Sequence, residues 1–289
     1  MIYGKIGLMR KKLKPIVVIG FFLTFFAIIF ISGMYGNRAT AGKETTITQS
    51  NTNPTSIETI PSSSYYITNA LEMKPIIDIS AWQRPSEIDY DTLSQNISGA
   101  IVRIQSGSHT KNENTATDEN GLDKAFDTHI KEFQARNIPV AVYTYVTGNS
   151  IDSMKEEARS FYEAANKYNP TFYWLDVEEH TMDDMNGGVE AFRQELESLG
   201  AKNIGIYVGT YFMEDHSINV DKFDAVWIPT YGVDSGYYNA APSTDLDYDL
   251  HQYTSRGYVN GFENYLDLNI ITTLKDPNEV YRKLFTTPE

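Results

Sequence analysis

From residue 75 onward the chain alternates between two kinds of segment. Short runs of β-branched and aromatic residues are separated by longer stretches in which apolar residues recur every three or four positions. The short runs predict strands, at 75–80 (PIIDIS), 99–106 (GAIVRIQS), 138–146 (IPVAVYTYV), 171–178 (TFYWLDVE), 203–210 (NIGIYVGT), 225–231 (AVWIPTY), 248–255 (YDLHQYTS) and 265–271 (YLDLNII). The longer stretches predict helices. In GLDKAFDTHIKEFQARN, the apolar Leu122, Phe126, Ile130 and Phe133 fall on one helical face. SIDSMKEEARSFYEAANKYN opens on Ser150, placed to cap a helix N-terminus. GGVEAFRQELESLGA runs into Gly200, the residue type favoured just past a helix C-terminus. After the fifth strand the connections look short or irregular.

Strands that alternate with helices imply an α/β fold with a parallel sheet. Eight strands predict an irregular (β/α)8-type barrel with fewer helices than strands. An open doubly wound sheet is the rival arrangement. Its usual phosphate loop is absent, since neither GxGxxG nor GxxxxGK[ST] follows any strand.

The N-terminal quarter reads differently. Lys5, Arg10, Lys11, Lys12 and Lys14 precede an apolar run from Ile16 to Ile31, broken only by Gly20 and Thr24. Together with its flanks this run approaches the roughly 20 apolar residues that a helix needs to cross a bilayer. The basic flank places the N-terminus inside and the remainder outside. The expectation is a cytoplasmic tail and transmembrane signal-anchor helix over 1–35, holding an extracellular domain at the cell membrane. The alternative is a secreted protein cleaved near Ala41, where RATAG offers an Ala-x-Ala site. Residues 36–73 are rich in Ser, Thr and Asn without periodicity and predict an extracellular linker. The folded domain is then 74–289.

Composition narrows the chemistry. The chain has no Cys, which excludes disulfides, thiolate metal sites and a Cys nucleophile. Its formal charge is −14; without the five basic residues of the N-terminal tail, 19 Lys and Arg face 38 Asp and Glu, a net of −19. Nucleic acid is therefore excluded as a partner, as is electrostatic adhesion to an anionic surface. The five His (His109, His129, His180, His216, His251) are scattered without HExxH, so zinc is not expected. His180 belongs to the loop after the fourth strand. His251 lies mid-strand beside Gln252 and either lines a site or packs in the core.

The acids fall where a barrel would use them. Catalytic groups sit at the C-terminal ends of barrel strands. Asp78 lies near the end of the first strand, Asp176 and Glu178 close the fourth, and Asp267 lies in the eighth with Asn269. Residues two apart share one face of a strand, and first and last strands meet if the barrel closes. A lone Asp at a strand end is ordinarily a cap or turn residue. An Asp-x-Glu pair closing an apolar strand is less easily dismissed, because burying unpartnered charge costs several kcal/mol. Four carboxylates at one mouth suit glycoside hydrolysis, in which a carboxylic acid of raised pKa protonates the leaving oxygen. They would equally suit Mg²⁺ or Ca²⁺. The aromatics favour sugar: Tyr143 and Tyr145 are an i, i+2 pair, and Trp82, Trp227, Tyr231 and Tyr253 end or follow other strands. With Gln252, these are candidate substrate contacts, although plain core packing accounts for many such rings.

In order along the chain stand IIDISAWQ (76–83), WLDVEEH (174–180), GIYVGTYF (205–212), VWIPTYG (226–232), LHQYTSRGYVNG (250–261) and LDLN (266–269). This set resembles the family 25 glycoside hydrolases, the Chalaropsis-type lysozymes, over about 75–272. The resemblance implies an irregular barrel that cleaves the β-1,4 bond between N-acetylmuramic acid and N-acetylglucosamine in peptidoglycan. It implies that Glu178 is the proton donor and that Asp176 orients the 2-acetamido group, with that group's carbonyl as internal nucleophile. Asp78 and Asp267 complete an acidic floor. No metal or cofactor is expected; the partners are glycan strands and, through the N-terminal helix, the membrane, with the protein a monomer. The chain departs from the family pattern after the second strand, with RIQSGSHT for KATEG, and in the third, with YTY for YHF. A non-hydrolysing glycan binder on the same barrel, or a hydrolase of another N-acetylated polysaccharide, remain the alternatives.

Overall fold

The computed structural model describes residues 69–107 and 113–287. The expected anchor helix, the linker up to residue 68 and His109 lie outside the described residues. Among those described, no helix is long and apolar enough to cross a membrane.

The eight strand patterns form eight strands: β1 (Ile76–Ile79), β2 (Gly99–Ser106), β3 (Val140–Tyr145), β4 (Tyr173–Asp176), β5 (Ile204–Tyr207), β6 (Ala225–Pro229), β7 (Leu250–Val259) and β8 (Phe262–Ile271). They close into a barrel in chain order. Pairing is parallel from β1 through β7, but β8 is antiparallel to both β7 and β1. The all-parallel expectation is thus corrected at the last strand. Val259 pairs with Phe262, so only Asn260 and Gly261 join β7 to β8, too few for a parallel crossover. Gly261 has φ +105°, and a Cβ there would lie 2.4 Å from the Leu93 amide nitrogen, so the turn admits glycine alone.

Among the described residues, six α-helices accompany the strands: α1 (Tyr90–Ser94), α2 (Phe126–Ala135), α3 (Ile151–Ala165), α4 (Met185–Ser198), α5 (Thr210–Asp215) and α6 (Pro277–Phe285). Ser150 caps α3 in a reciprocal box with Ser153, and Gly200 follows α4 at φ +96°. The first predicted helix, α2, begins later than its apolar spacing suggests. Leu122 instead bridges to Gln105, because Asp123 is held by the backbone of Ala81 and Ala125 and by Arg103.

Strand alternation divides the apolar residues into two layers. Outward residues such as Val102, Val142, Tyr173, Leu175 and Ile206 pack with Ile130, Phe133, Phe161 and Phe192 of the helices. Inward residues such as Ile76, Ile101, Phe172, Trp174, Trp227 and Leu250 fill the barrel, continuous with Val280, Leu284 and Phe285 of α6. Ala70 belongs to this inner cluster and is buried, so the polypeptide joins the barrel a few residues before the linker end predicted at 73. Filling the N-terminal end leaves the C-terminal end as the open mouth.

Candidate active site

Along β4 the alternation sends Phe172 and Trp174 inward, Tyr173 and Leu175 outward, and then Asp176 inward. Strand pairing stops at Asp176, one turn of the pleat short of the predicted end. Val177 is still buried with the outer layer, and Glu178 again faces inward. The apolar fill therefore gives way to carboxylates at the mouth. There a cavity of about 350 Å³ is lined by Asp78, Asp176, Glu178 and Asp267 together with Tyr143, Tyr145, Tyr207, Trp227, Tyr231, Gln252, Arg103 and Ser106.

Three strands grip Asp78. Its Oδ2 accepts from Gln252 Nε2 and Asn269 Nδ2, each at 2.8 Å. Asn269 is itself set by Trp227, whose Nε1 donates to Asn269 Oδ1 at 2.8 Å. Gln252 is set by Tyr207 and Tyr231, whose hydroxyls donate to its Oε1 at 2.9 and 2.5 Å. Asp267 stands directly opposite Asp78 across the β1–β8 ladder, a register that brings side chains on one face to roughly 5 Å. Asp176 is 9% exposed, and its Oδ1 is buried without a hydrogen-bond partner. Glu178 is exposed at the rim.

Enclosure and mutual repulsion hold protons in this cluster. Burial, with the charge of Glu178 a minor contributor, pushes Asp78 up to about 6, even though Asn269 and Gln252 favour its anion. Burial and then the Asp78 charge push Asp267 up to about 8. Asp176 is raised well above the carboxylate range by burial, then by Glu178 and Asp78. Partial burial and Glu179 raise Glu178. A partly open carboxylic acid of raised proton affinity, with a second, buried acid two residues away, is the equipment of acid-assisted bond cleavage at a sugar. Among the described residues, no three His, Asp or Glu side chains are disposed to hold a metal ion.

The family model described as glycosyl hydrolases family 25 matches residues 77–262. The chain belongs to glycosyl hydrolase family 25. Its barrel is similar to that of a Streptococcus pneumoniae family 25 glycosyl hydrolase, GHIP, described as a virulence factor participating in host cell invasion. That structure is 61% identical, with a TM-score of 0.73 over 76% of this chain and 96% of the other. The catalytic domain of endolysin ply40, from bacteriophage P40 of Listeria monocytogenes, is 25% identical, with a TM-score of 0.62 over 72% and 97% of the two chains. A family 25 hydrolase of Bacillus anthracis shares the fold at 20% identity, with a TM-score of 0.57 over 78% and 100%. A search of curated protein sequences returned no match.

The matched segment of this family 25 glycoside hydrolase contains all the cavity residues except Asp267, which lies just beyond it. Of the eleven acids and candidate substrate contacts singled out from the sequence, nine line the cavity: Asp78, Asp176, Glu178, Asp267, Tyr143, Tyr145, Trp227, Tyr231 and Gln252. Trp82 does not. It lies in the turn after β1, 60% exposed, and contributes nothing to the cavity wall. His251 takes the core role: its inward neighbours are Leu250 and Gln252, while its own ring faces Tyr238 and Tyr253 and its Nε2 bonds the Thr230 carbonyl at 2.8 Å. Tyr253 packs in the same outer layer. His180 is in the exposed loop after β4, stacked on His216. Sequence reasoning passed over Arg103, Ser106 and Tyr207. A charged Arg inside the apolar run GAIVRIQS was the available signal for Arg103. For Tyr207 the signal was its place at the end of the fifth strand, where it pairs with Asp176.

Proposed function

We propose that this enzyme hydrolyses peptidoglycan at the β-1,4 bond between N-acetylmuramic acid and N-acetylglucosamine. The observation that carries the reading is the inward pair Asp176 and Glu178, set in one cavity with Asp78 and Asp267. Glu178, protonated and open to solvent, donates to the glycosidic oxygen as the bond breaks. Asp176 Oδ1, buried and unpartnered, accepts the N–H of the 2-acetamido group and turns its carbonyl toward the anomeric carbon. Asp78, clamped by Gln252 and Asn269, supplies negative potential beneath the oxocarbenium-like transition state once ionised, with Asp267 beside it as a neutral hydrogen-bonding acid. Tyr143, Tyr145, Tyr231 and Trp227 offer flat walls with polar edges that suit a pyranose ring. The basic residues before the apolar run at 16–31 support a single-pass anchor with the barrel outside the cell. On that reading the anchor keeps a monomeric enzyme against the wall; release near Ala41 would give the secreted form.

Digestion of purified peptidoglycan with analysis of the new reducing ends tests this. Muramic acid ends are expected. N-acetylglucosamine ends, or no new ends, would refute the assignment. Glu178→Gln is expected to lower turnover by about 10²–10⁴-fold, the usual contribution of a positioned general acid, with an unchanged melting temperature. Retention of full activity would remove Glu178 from the mechanism.

A further inference from the structure

Of the described residues that line the cavity, Arg103 alone is cationic, and the reaction as set out above does not use it. It points inward from β2, level with Tyr143 and one layer below the row that joins Ser106, Tyr145 and Asp176. That placement follows the strand alternation from inward Ile101 through outward Val102; a bulge comes just after it. The β2–β3 register slips between Arg103 and Gln105, so Gln105 turns outward to the carbonyl of Glu157 while Ser106 returns to the cavity wall.

The guanidinium is fixed in place. Its side chain is 10% exposed. Nε donates to Asp123 Oδ2 at 3.0 Å, and Nη2 lies 2.9 Å from the same oxygen. Asp123 cannot swing away, because its two oxygens also accept from the amides of Ala81 and Ala125, both at 2.9 Å. Nη2 is thus ion-paired to Asp123 without an aligned hydrogen bond, whereas the Oδ1 atom of Asp176 is buried with no hydrogen-bond partner. Buried polar atoms without partners are uncommon. The Asp176 carboxyl and the Arg103 guanidinium belong to one enclosed cavity, where charges act on each other well beyond contact distance.

The groups around Asp176 are the carboxylates Asp78 on β1, Asp267 on β8 and Glu178 beyond β4, and the phenols Tyr143 and Tyr145 on β3, Tyr207 on β5 and Tyr231 beyond β6. The four phenols stay neutral, all raised above the ordinary tyrosine value chiefly by burial. Burial first, then Glu178 and Asp78, disfavour the Asp176 anion and raise its proton affinity well above the carboxylate range; Arg103 opposes them as the smallest of the four influences. Arg103 is itself partly compensated by Asp123.

On the reading that Glu178 donates the proton and Asp176 acts as its anion, we propose that Arg103 is a positioning residue of the reaction. Pinned by Asp123, its fixed charge favours the Asp176 anion against the enclosure and the neighbouring carboxylates that oppose it, and so biases the proton that the pair would share toward Glu178.

The test is the pH profile of kcat and KM for the full chain on solubilised peptidoglycan, with Arg103→Gln and Arg103→Lys. Gln can still donate to Asp123 but carries no charge. It is expected to lower kcat at pH 5 by at least tenfold, to leave KM within about threefold, and to move the acidic limb of kcat upward by about one pH unit. Lys restores the charge and is expected to keep that limb within about 0.3 unit of wild type. A limb that Gln does not move, or an equal upward move in Lys and Gln, overturns the proposal. Should Gln melt below the assay temperature, Lys decides: a stably folded Lys variant with a displaced limb, or with kcat down tenfold or more, also overturns it. If the wild type itself releases no muramic acid ends, it is the muramidase reading that has failed instead.

Discussion

Asp267→Asn should stabilise the protein at alkaline pH while impairing it as an enzyme. Folding sets Asp267 opposite Asp78 inside the barrel mouth, and burial followed by the Asp78 charge moves its pKa from 3.8 to about 8. The folded chain therefore binds this proton more tightly than the unfolded chain does. Where the native state holds more protons, stability falls as pH rises; here the loss begins near 4, the unfolded value, and is complete above about 8. Each unit of difference corresponds to about 1.4 kcal/mol, which for Asp267 as an isolated, fully enclosed acid would amount to several kcal/mol. The mouth is open to water and Asp78 shares the repulsion, so solvent screening reduces the recoverable part to about 1–3 kcal/mol. An Asn amide carries no charge to desolvate. For a domain of this size that range corresponds to a melting temperature higher by about 2–10 °C at pH 8, with little or no gain at pH 4. Calorimetry of both proteins at the two pH values and equal ionic strength measures it. A gain of equal size at both pH values, or an Asn variant that melts below wild type at pH 8, would refute the reasoning.

Two further outcomes follow from the same geometry. A Cβ at Gly205 would lie 2.4 Å from the Trp174 ring, which itself meets Phe172 and Trp227; Gly205→Ala is therefore expected to cost about 1–3 kcal/mol by overpacking, read as a lower melting temperature. Trp82 is exposed at the mouth and outside the cavity wall, so Trp82→Ala should leave the melting temperature and the hydrolysis of short glycans unchanged; a raised KM confined to long glycan strands would show that it contacts substrate beyond the cavity.

Much of the site was legible because its signals are local. Asp176 and Glu178 are two residues apart at the end of an apolar strand, and the pleat alone sends both the same way. The Ser150 cap and the Gly200 stop likewise depend on neighbours within one helical turn. The residues that went unread depend on partners far along the chain. Alternation from Ile101 sends Arg103 inward, but it looked like an ordinary charge in β2 because the clamp that fixes it in the cavity comes from Asp123, 20 residues on. Trp82 and Tyr231 are both aromatics beyond strand ends, yet Tyr231 is drawn inward by Gln252 while Trp82 sits in a turn that leads it into solvent. His251 and Gln252 are adjacent, and only the side of the barrel wall each faces separates a core ring from a site residue.

By itself, then, the sequence determined the eight strands, the alternation that fills the barrel with aromatics and closes it with acids, and the order of motifs that marks the family. These follow from periodicity and from steric and capping preferences that act over a few residues. The tertiary structure decided how the acids work together. Closure with an antiparallel β8 set Asp267 against Asp78; side chains 174 and 191 residues away took hold of Asp78; and the enclosed mouth raised all four carboxylates at once. A carboxylate's proton affinity depends on every charge and every excluded water around it, and that surrounding exists only when distant strands have met.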